Sequence, residues 1–570
     1  MATRSSLARP TTTSGAVNRR SPCDAAIIEA VSSPLDDLNA SLSAAVAALA
    51  GGQPVSAQLQ LERPKQPEHG DFATNAALAV AKGLGVQPRQ FAEQLSEELG
   101  RQLGSTLVSA EVAGPGFVNL VLSDQWYGGA VDAVIAAGDQ WGGAFADPPL
   151  QINVEFVSAN PTGPVHVGGT RNAVYGDALA RLFSFVGHKV HREYYVNDAG
   201  SQIRALGVSV QARARGEEPP EDGYQGEYII ALAADIPGAG DLPVDEVARL
   251  AVELMVAEAE RSLARLRVVF DDWFHETSLH AGSPSPVEKA LTILDSDGRT
   301  FSSDEALWLR TTEFDDDKDR VLERSSGEHT YFASDIAYHQ DKLDRGFDLM
   351  IDVWGADHHG YIKRMQAAIA ALGHDPACLE LLIMQLVHLV DSGERAQMSK
   401  RAGDFVTLDE LIEDIGVDAA RWFLLERSHE TTIELDLKLA REESAENPVY
   451  YVQYAHARIA SLLARGAAES GPDGSTDEPL HASERALVRK LLEFPAEVAD
   501  AAERRSPHRI ASYALSAAQA FSAFYRDCPV LDVGPAQRDF RLRLCAASGQ
   551  VLARSLDLLG VSAPQSMTRD

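Results

Sequence analysis

Apolar residues along this chain recur with two different periods, and the places where the period changes divide it into parts. After Pro88, Phe91, Leu95 and Leu99 fall four apart, which predicts a helix that opens at the proline. Residues 116–122, between Gly114-Pro115 and Ser123-Asp124, predict a strand, so 34–122 reads as a small α/β unit. A Gly- and Pro-rich stretch at 142–149 marks a boundary. Beyond it, strands are predicted at 152–157, 190–196, 349–353 and 381–390. A helix over about 170–185, with Val174, Ala178, Leu182 and Phe185 on its apolar face, follows the first strand, and one over about 361–372 separates the last two. This alternation predicts a parallel, doubly wound α/β sheet whose halves are separated by a long insertion at about 201–346. After Asn447 only helical spacing remains, in Val449, Val452, His456, Ile459 and Leu463, in Leu487, Leu491, Phe494 and Val498, and in Ile510, Tyr513, Ala517, Phe521 and Phe524. These runs predict an antiparallel helix bundle with a polar loop near 470–477. The expected organisation is an extension at 1–24, an α/β unit at 25–125, a linker at 126–149, the sheet domain at 150–446 and an all-α domain at 447–570.

Composition narrows the class without naming a chemistry. A length of 570 residues exceeds one core and points to about three to four domains. With 45% hydrophobic and 24% charged residues, the chain has the balance of a globular protein, and no apolar run reaches bilayer-spanning length, so no membrane partner is expected. The most apolar stretch, 379–390, reads as a buried strand. A net charge of −32 argues against indiscriminate binding to nucleic acid but leaves room for a local basic surface. Cys23, Cys378, Cys528 and Cys545 are too few for a disulfide framework and none are close enough for a metal-binding pair, so a cytoplasmic setting and no protein-bound metal are expected. The first 23 residues hold Arg4, Arg9, Arg19 and Arg20 and no acid. Without an amphipathic face they read as a disordered extension rather than a transit peptide.

In an open parallel sheet, ligands bind beyond the carboxyl ends of the strands. Three loops occupy such ends. The first, SANPTGPVHVGGT (158–170), has glycines that admit a close ligand, a following helix N-terminus suited to phosphate, and His166 as a donor. It is not a Walker loop, because no Gly-Lys-Ser/Thr closes it, and alone it is equally well read as a glycine-rich strand-to-helix turn. The second runs from Gly355 through Asp357 to Gly360, where an acid at a strand end can accept from ribose hydroxyls. Adjacent Asp357, His358 and His359 point in different directions, which disfavours a metal site. The third, RAQMSKRAG (395–403), brings three basic residues that can close on a triphosphate, although by itself it is better read as a solvated charged turn.

Together these loops resemble the signature motifs of class I aminoacyl-tRNA synthetases, with 165–169 similar to the HIGH motif and 398–401 similar to KMSKS. The segments ANPTGPVHVGG, GDALARLF, REYYVNDAGSQI, TYFASDIAYH and NPVYYVQYAHARI narrow the resemblance to the arginine-specific family. HGDFATNAALAVAK, GPGFVNL and LGVSAPQSM extend it to most of the chain after about residue 34. The resemblance implies a Rossmann-type catalytic domain and a ligase that activates L-arginine with ATP, accompanied by Mg²⁺, and transfers it to arginine tRNA. It further implies that activation requires bound tRNA, that the N-terminal unit touches the tRNA elbow, that the C-terminal bundle reads the anticodon, and that the protein is a monomer.

Residue by residue, the resemblance implies a catalytic pair, His166 and Lys400. ATP contacts would come from His166, Gly168, Gly169, Gly355, Asp357, Met398, Lys400 and Arg401. Arginine contacts would come from Glu155, Asn160, Tyr331 and Asp335. Chemistry agrees with the last set: a guanidinium is a planar fork of donors that pairs bidentately with carboxylates. Asp335 follows Tyr331 by one helical turn, so both can face one pocket. Tyr450, Tyr451, Tyr454 and Arg458 are candidates to stack on anticodon bases, against a plainer role in packing. Two positions depart from the family pattern, Gly169 for the second His of HIGH and Gln397 for the first Lys of KMSKS. Arg171 and Arg395 are candidate substitutes. These departures leave one alternative, a catalytically impaired relative that binds RNA or acts as a scaffold. A synthetase for cysteine would need zinc ligands that the cysteine spacing does not offer.

Overall fold

The computed structural model describes residues 29–30, 33–54, 59–64, 66–395, 406–467 and 479–567. Five parallel strands form the central sheet, in the spatial order Asp272–His275, Lys189–Val196, Gln151–Glu155, Leu349–Gly355, Leu379–Met384. The chain therefore starts in the middle of the sheet, winds to one edge, and returns to wind to the other. That reversal opens a crevice at the carboxyl ends of Gln151–Glu155 and Leu349–Gly355, the switch point of a doubly wound fold. Alternation along Leu349–Gly355 shows why both faces are covered. Leu349, Ile351 and Val353 enter the core that includes helix Val167–Phe185, while Met350 enters the core beneath helix Tyr331–Asp344.

Helix Val167–Phe185 lies unusually close to the sheet. A Cβ on Gly176 would fall 2.1 Å from the Phe156 ring. Gly176→Ala is expected to lower stability by roughly 1–3 kcal/mol through overpacking, measured by denaturant unfolding. An unchanged midpoint would mean that the helix can retreat from Phe156 without cost.

The structure departs from the sequence reading in three places. The apolar run at 379–390 is two strands, Leu379–Met384 and Val387–Asp391, which belong to different sheets. The break comes at Gln385, whose N–H donates to His429 O (2.9 Å) and whose carbonyl accepts from Arg171 (2.7 Å), so neither group is left for a ladder. The expected insertion at 201–346 contains the edge strand Asp272–His275 of the central sheet. That strand is short and only partly buried, and it carries no apolar run to announce itself. The first half of the expected linker at 126–149 falls on helix Asp124–Ala137, whose Tyr127, Ala130, Val131 and Val134 are buried.

That helix ties the N-terminal unit to the C-terminal helices. Asp71, in the HGDFATN segment, is buried and accepts from Leu122 N (2.8 Å), Tyr127 Oη (2.7 Å) and Arg489 (2.7 Å), with Arg485 at 3.3 Å. A second knot forms around Arg421, which is fully buried. Its guanidinium donates to Asp177, to Leu559 O (2.8 Å) and to Leu266 O (2.9 Å). Gly560, at φ +66°, clears the way: a Cβ there would stand 2.2 Å from the guanidinium. The segments GDALARLF and LGVSAPQSM thus meet at Arg421, the first through the Asp177 ion pair and the second through the Leu559 carbonyl. The helices Pro448–Ala467, Ala482–Leu492, His508–Asp527 and Pro535–Leu558 pack as the expected bundle. Cys378, Cys528 and Cys545 are buried free thiols, and Cys23 lies outside the described residues. Among the described residues, no helix is long and apolar enough to cross a membrane.

Candidate active site

Strand Gln151–Glu155 ends on Glu155, and the chain then turns through Val157 and Ser158, both with positive φ (72° and 40°). A β-branched residue in that region is a genuine strain, held here by its surroundings. The turn brings Ser158 Oγ back to Glu155 Oε1 (2.9 Å) while the same oxygen accepts from Tyr195 N (3.1 Å). Asn160, further along and exposed, donates from Nδ2 to Gln202 Oε1 (2.7 Å).

His166 caps the following helix. Its Nδ1 accepts from Gly168 N (3.1 Å), so in the neutral ring the proton sits on Nε2. That tautomer offers a hydrogen-bond donor beside the positive end of a helix dipole, which is the arrangement a phosphate oxygen needs. Gly168 is required by this geometry, since a Cβ would lie 2.9 Å from His166 Cε1. Gly169 differs: a Cβ there would make ordinary contacts with Val165 (3.5 Å) and Val157 (3.8 Å). Arg171 is not a substitute donor. It is buried, and its guanidinium is filled by the carbonyls of Gln385, Thr431 (2.9 Å) and Ser428 (2.9 Å).

The second loop begins where strand Leu349–Gly355 ends, with Gly355 next to Met384 in register, and continues as a 3₁₀ turn over Ala356–Tyr361 that includes Asp357. Gln397, Met398, Lys400 and Arg401 lie outside the described residues, as does the side chain of Arg395. Both ends of their loop are placed. Glu394–Arg395 pairs antiparallel with Val390 and Asp391. At the other end Val406 O accepts from Val167 N (3.2 Å) and Leu408 N donates to Val165 O (2.8 Å), making a bridge between His166 and Thr407. The residues that follow the third loop, 406–408, are therefore stitched to the first.

Helix Tyr331–Asp344 closes the other side. Tyr331, its first residue, is 59% exposed, and its hydroxyl would stand 3.1 Å from a Cβ on Gly200. One turn on, Asp335 accepts from Tyr361 Oη (2.6 Å). Burial pushes the Asp335 carboxyl above the usual range, against the opposing pull of Tyr361. The charges of Glu276, Asp335 and Glu155 all reach the Tyr195 phenol and, after burial, push its pKa well above the usual range.

Two features of this pocket escaped the sequence reading. Glu276 follows the edge strand Asp272–His275 and is 3% exposed. Burial, then Asp335 and Asp198, push its carboxyl up to about 7. With its amide oriented to satisfy both ends, Asn197 donates to Glu276 Oε2 (2.8 Å). The signal for Glu276 was its place just past a strand end, invisible until that strand was recognised.

The other feature is a buried cation. Glu155 and Asp352 stand side by side in register on adjacent parallel strands. Two buried carboxylates so placed repel each other. Lys342, fully buried on helix Tyr331–Asp344, donates to Glu155 Oε2 (2.7 Å) and Asp352 Oδ1 (2.9 Å). His339 lies 3.0 Å from Asp352 Oδ2 through Nε2, and its Nδ1 lies 2.8 Å from Asp335 O. Burial alone would raise the Asp352 carboxyl, but Lys342 and His339 outweigh it and hold the group at about 2. For Glu155 the balance is reversed: burial exceeds the pull of Lys342 and its carboxyl stays raised. Asp335, His339 and Lys342 are four and three residues apart, a polar stripe on a helix that would otherwise be core.

Comparison with known proteins matches this geometry to a family. Residues 36–122 match the arginyl tRNA synthetase N terminal domain, 131–221 and 238–462 the catalytic domain of tRNA synthetases class I (R), and 452–567 the DALR anticodon binding domain. A Campylobacter jejuni structure assigned as an arginyl-tRNA synthetase is 32% identical, with 78% of this chain and 100% of that chain covered at a TM-score of 0.71. Thermus thermophilus arginyl-tRNA synthetase shares the fold at 24% identity, covering 94% of this chain and 100% of its own, with a TM-score of 0.72. A Mycobacterium tuberculosis methionyl-tRNA synthetase structure containing methionyl-adenylate shares it more distantly, at 15% identity over 72% of this chain and 90% of its own and a TM-score of 0.51. With three family models in order along its length and a complete relative above 30% identity, the chain belongs to the arginyl-tRNA synthetases, class I ligases that use ATP.

Proposed function

We propose that Glu155, Glu276 and Asp335 hold the guanidinium of L-arginine at the switch point, while the His166 and 355–361 loops hold ATP beside it. The observation that carries this reading is the hydrogen-bonded network that joins Glu155 and Asp335 into one set: Lys342 bonds Glu155 and Asp352 (2.7 and 2.9 Å), and His339 bridges Asp352 and the Asp335 carbonyl (3.0 and 2.8 Å). A fixed, planar cation satisfies such a set best, and arginine is the amino acid that brings one. Asn160 and Tyr331, at the mouth of the pocket, contact the remainder of the substrate. Mg²⁺ enters on the phosphates of ATP, its usual carrier, as part of the substrate.

The arginine carboxylate attacks the α-phosphorus, forming a bond to phosphorus as the bond to the β-phosphate oxygen breaks and pyrophosphate leaves. The protein contributes position and charge. His166 donates from Nε2 to the phosphate chain, Gly168 and Gly169 leave room for it, and Gly355 and Asp357 hold the ribose. Met398, Lys400 and Arg401 close on the departing pyrophosphate. A terminal ribose hydroxyl of arginine tRNA then attacks the adenylate carbonyl and releases AMP. In this reading 25–125 supports the tRNA elbow and 447–570 reads the anticodon, with the Asp71 knot holding the two in fixed relation. Tyr454, Arg458 and Tyr525 form a stack beside Tyr450, with Arg458 4.7 Å from both neighbouring rings, and supply a platform for bases. Tyr451 instead bonds Ser522 (2.9 Å). The protein acts as a monomer in the cytoplasm, a setting in keeping with its buried free thiols.

The test is the pH dependence of charging. A guanidinium does not titrate near neutrality, so an acid limb reports the pocket. Arginine prefers ionised acids, and Glu276 ionises only as pH rises through about 7. The kcat/KM for arginine in aminoacylation is therefore expected to climb as pH rises through neutrality, with a log slope approaching about 1 on the acid side. In Glu276→Gln the limb moves to lower pH. A flat profile in the wild type, or an unmoved limb in the variant, removes Glu276 from the pocket, and charging with another amino acid removes the reading altogether.

A further inference from the structure

The loop that carries Asn160 and His166 contains two prolines, Pro161 and Pro164, so it has few backbone donors with which to fix its own shape. Within it Thr162 N donates to Asn160 O (2.8 Å), and past Pro164 the Val165 carbonyl accepts from Leu408 N (2.8 Å). Its middle is held from elsewhere. Asn160 Nδ2 donates to Gln202 Oε1 (2.7 Å), and the Tyr228 hydroxyl donates to the Thr162 carbonyl (2.8 Å). Beside that bond the Tyr228 ring lies against Gly163, where a Cβ would stand 3.4 Å from the hydroxyl.

Gln202 and Tyr228 both belong to the insertion, on helices Ser201–Ala214 and Glu227–Asp235. With helix Val244–Arg265 these helices share an apolar core of their own, in which Leu206, Val210, Ile229, Val247 and Ala251 are fully buried. Tyr228 packs on that core, and its hydroxyl reaches out of it. The turn before its helix is pinned to the neighbouring helix, since Tyr224 N donates to Ser209 Oγ (2.9 Å). Burial pushes the Tyr228 phenol well above its ordinary range, so the hydroxyl stays a donor at any working pH. The far end of the same unit grips the other flank of His166. Ser262 and Arg265, on helix Val244–Arg265, each bond Asp409 at 2.5 Å, two residues beyond the Thr407 that bridges to His166. The insertion thus fastens the chain on both sides of His166, and Tyr228 is its contact with the peptide between Asn160 and His166.

We propose that Tyr228 is a positioning residue for adenylate formation, fixing the Thr162 peptide so that Asn160 and His166 present arginine and ATP to each other in line. This role rests on the reading of Asn160 and His166 as contacts of arginine and ATP. Tyr228 touches neither substrate. What it sets is the alignment of the arginine carboxylate with the α-phosphorus, where a displacement of about an ångström costs rate far more than binding.

Tyr228→Phe removes the hydroxyl and keeps the ring on its core, so the variant should fold, which thermal unfolding checks. In the substrate-free protein, hydrogen exchange at Thr162 and Gly163 is expected to quicken by roughly fivefold, about what the loss of one hydrogen bond allows, while helix Val167–Phe185 keeps its protection. With tRNA present, rapid-quench formation of arginyl-adenylate at saturating substrates is expected to slow by roughly tenfold or more, with the KM values for arginine and ATP within about threefold of wild type. Tyr228→Leu, which loses the ring as well, should be no faster than Tyr228→Phe. Unchanged exchange would show that the hydroxyl does not hold the loop, and faster exchange with a wild-type rate would show that the reaction does not need the hold. Either overturns the role. So would a rate lost only in Tyr228→Leu, which makes the ring a packing group, or raised KM values without loss of rate, which make Tyr228 a determinant of binding. The exchange measurement needs no substrate, so failure of the wild type to charge arginine would overturn the pocket reading and leave the hold of Tyr228 on the loop standing.

Discussion

Lys342→Met is expected to destabilise the protein by about 3–5 kcal/mol, because it strips the cation from two buried carboxylates without removing either. Glu155 and Asp352 are neighbours in register on adjacent strands, and the ammonium is hydrogen-bonded to both. Methionine has nearly the same length and none of the charge. One carboxyl must then take a proton, and Glu155, which burial already raises above its ordinary value, is the one that does. A neutral Glu155 no longer attracts a guanidinium. The KM for arginine should rise by about tenfold or more while the KM for ATP changes little, since the proposed nucleotide site lies toward His166 and Gly355. Adding Asp352→Asn to Lys342→Met removes one of the stranded charges and should recover part of the lost stability, as measured by denaturant unfolding. Wild-type stability in the single variant would show that the strand pair does not need its lysine. Equal rises in both KM values would indicate general disorder of the sheet ends and not a specific loss of the acid.

The Lys342 network also shows which parts of this molecule were legible in sequence. The strands Gln151–Glu155, Leu349–Gly355 and Leu379–Met384 carry enough apolar positions between turn signals for their places, and the crevice between the first two, to follow from pattern. Asp272–His275 carries no such run, and with it Glu276 was hidden. The run at 379–390 hid a break because the cause of that break is remote. Arg171 and His429 claim the backbone of Gln385 from other parts of the chain. The same contact explains the misreading of Arg171. An arginine one turn into a helix that follows a phosphate loop looks like an anion ligand, whereas three carbonyls at 2.7–2.9 Å make it a clamp between segments far apart in sequence. Family motifs named Glu155 and Asp335 as acids but not the lysine between the strands. A buried Lys on an amphipathic helix is indistinguishable from a solvated one until the strand pair beneath it is known. Only its spacing from Asp335 and His339 hinted at a shared face.

Lys400→Ala is expected to slow adenylate formation by roughly 100-fold or more while changing arginine affinity by less than about twofold, with tRNA present in both measurements. Described residues flank the segment 396–405 on both sides. One end leaves the Val387–Asp391 strand through its pairing with Glu394–Arg395. The other returns to Thr407, bridged to His166, with backbone bonds from Val167 and Leu408 on either side. The returning end is thus bonded beside His166 at the N-terminus of helix Val167–Phe185, where the proposed phosphate site lies. In that proposed reading Lys400 meets charge that develops as pyrophosphate departs, and this charge is greater in the transition state than in bound ATP. Interactions that strengthen only there act on rate more than on ground-state binding. Gln397 has no charge to share the task, so the whole burden falls on Lys400 and Arg401, and the loss on substitution should be larger than in a loop with two lysines. Rapid-quench measurement of arginyl-adenylate, set beside equilibrium binding of arginine, separates the two quantities. Parallel losses in both would move the loop's role from the leaving group to the amino acid, and restoration by Gln397→Lys in the Lys400→Ala background would show that the first position of the motif can carry the charge instead.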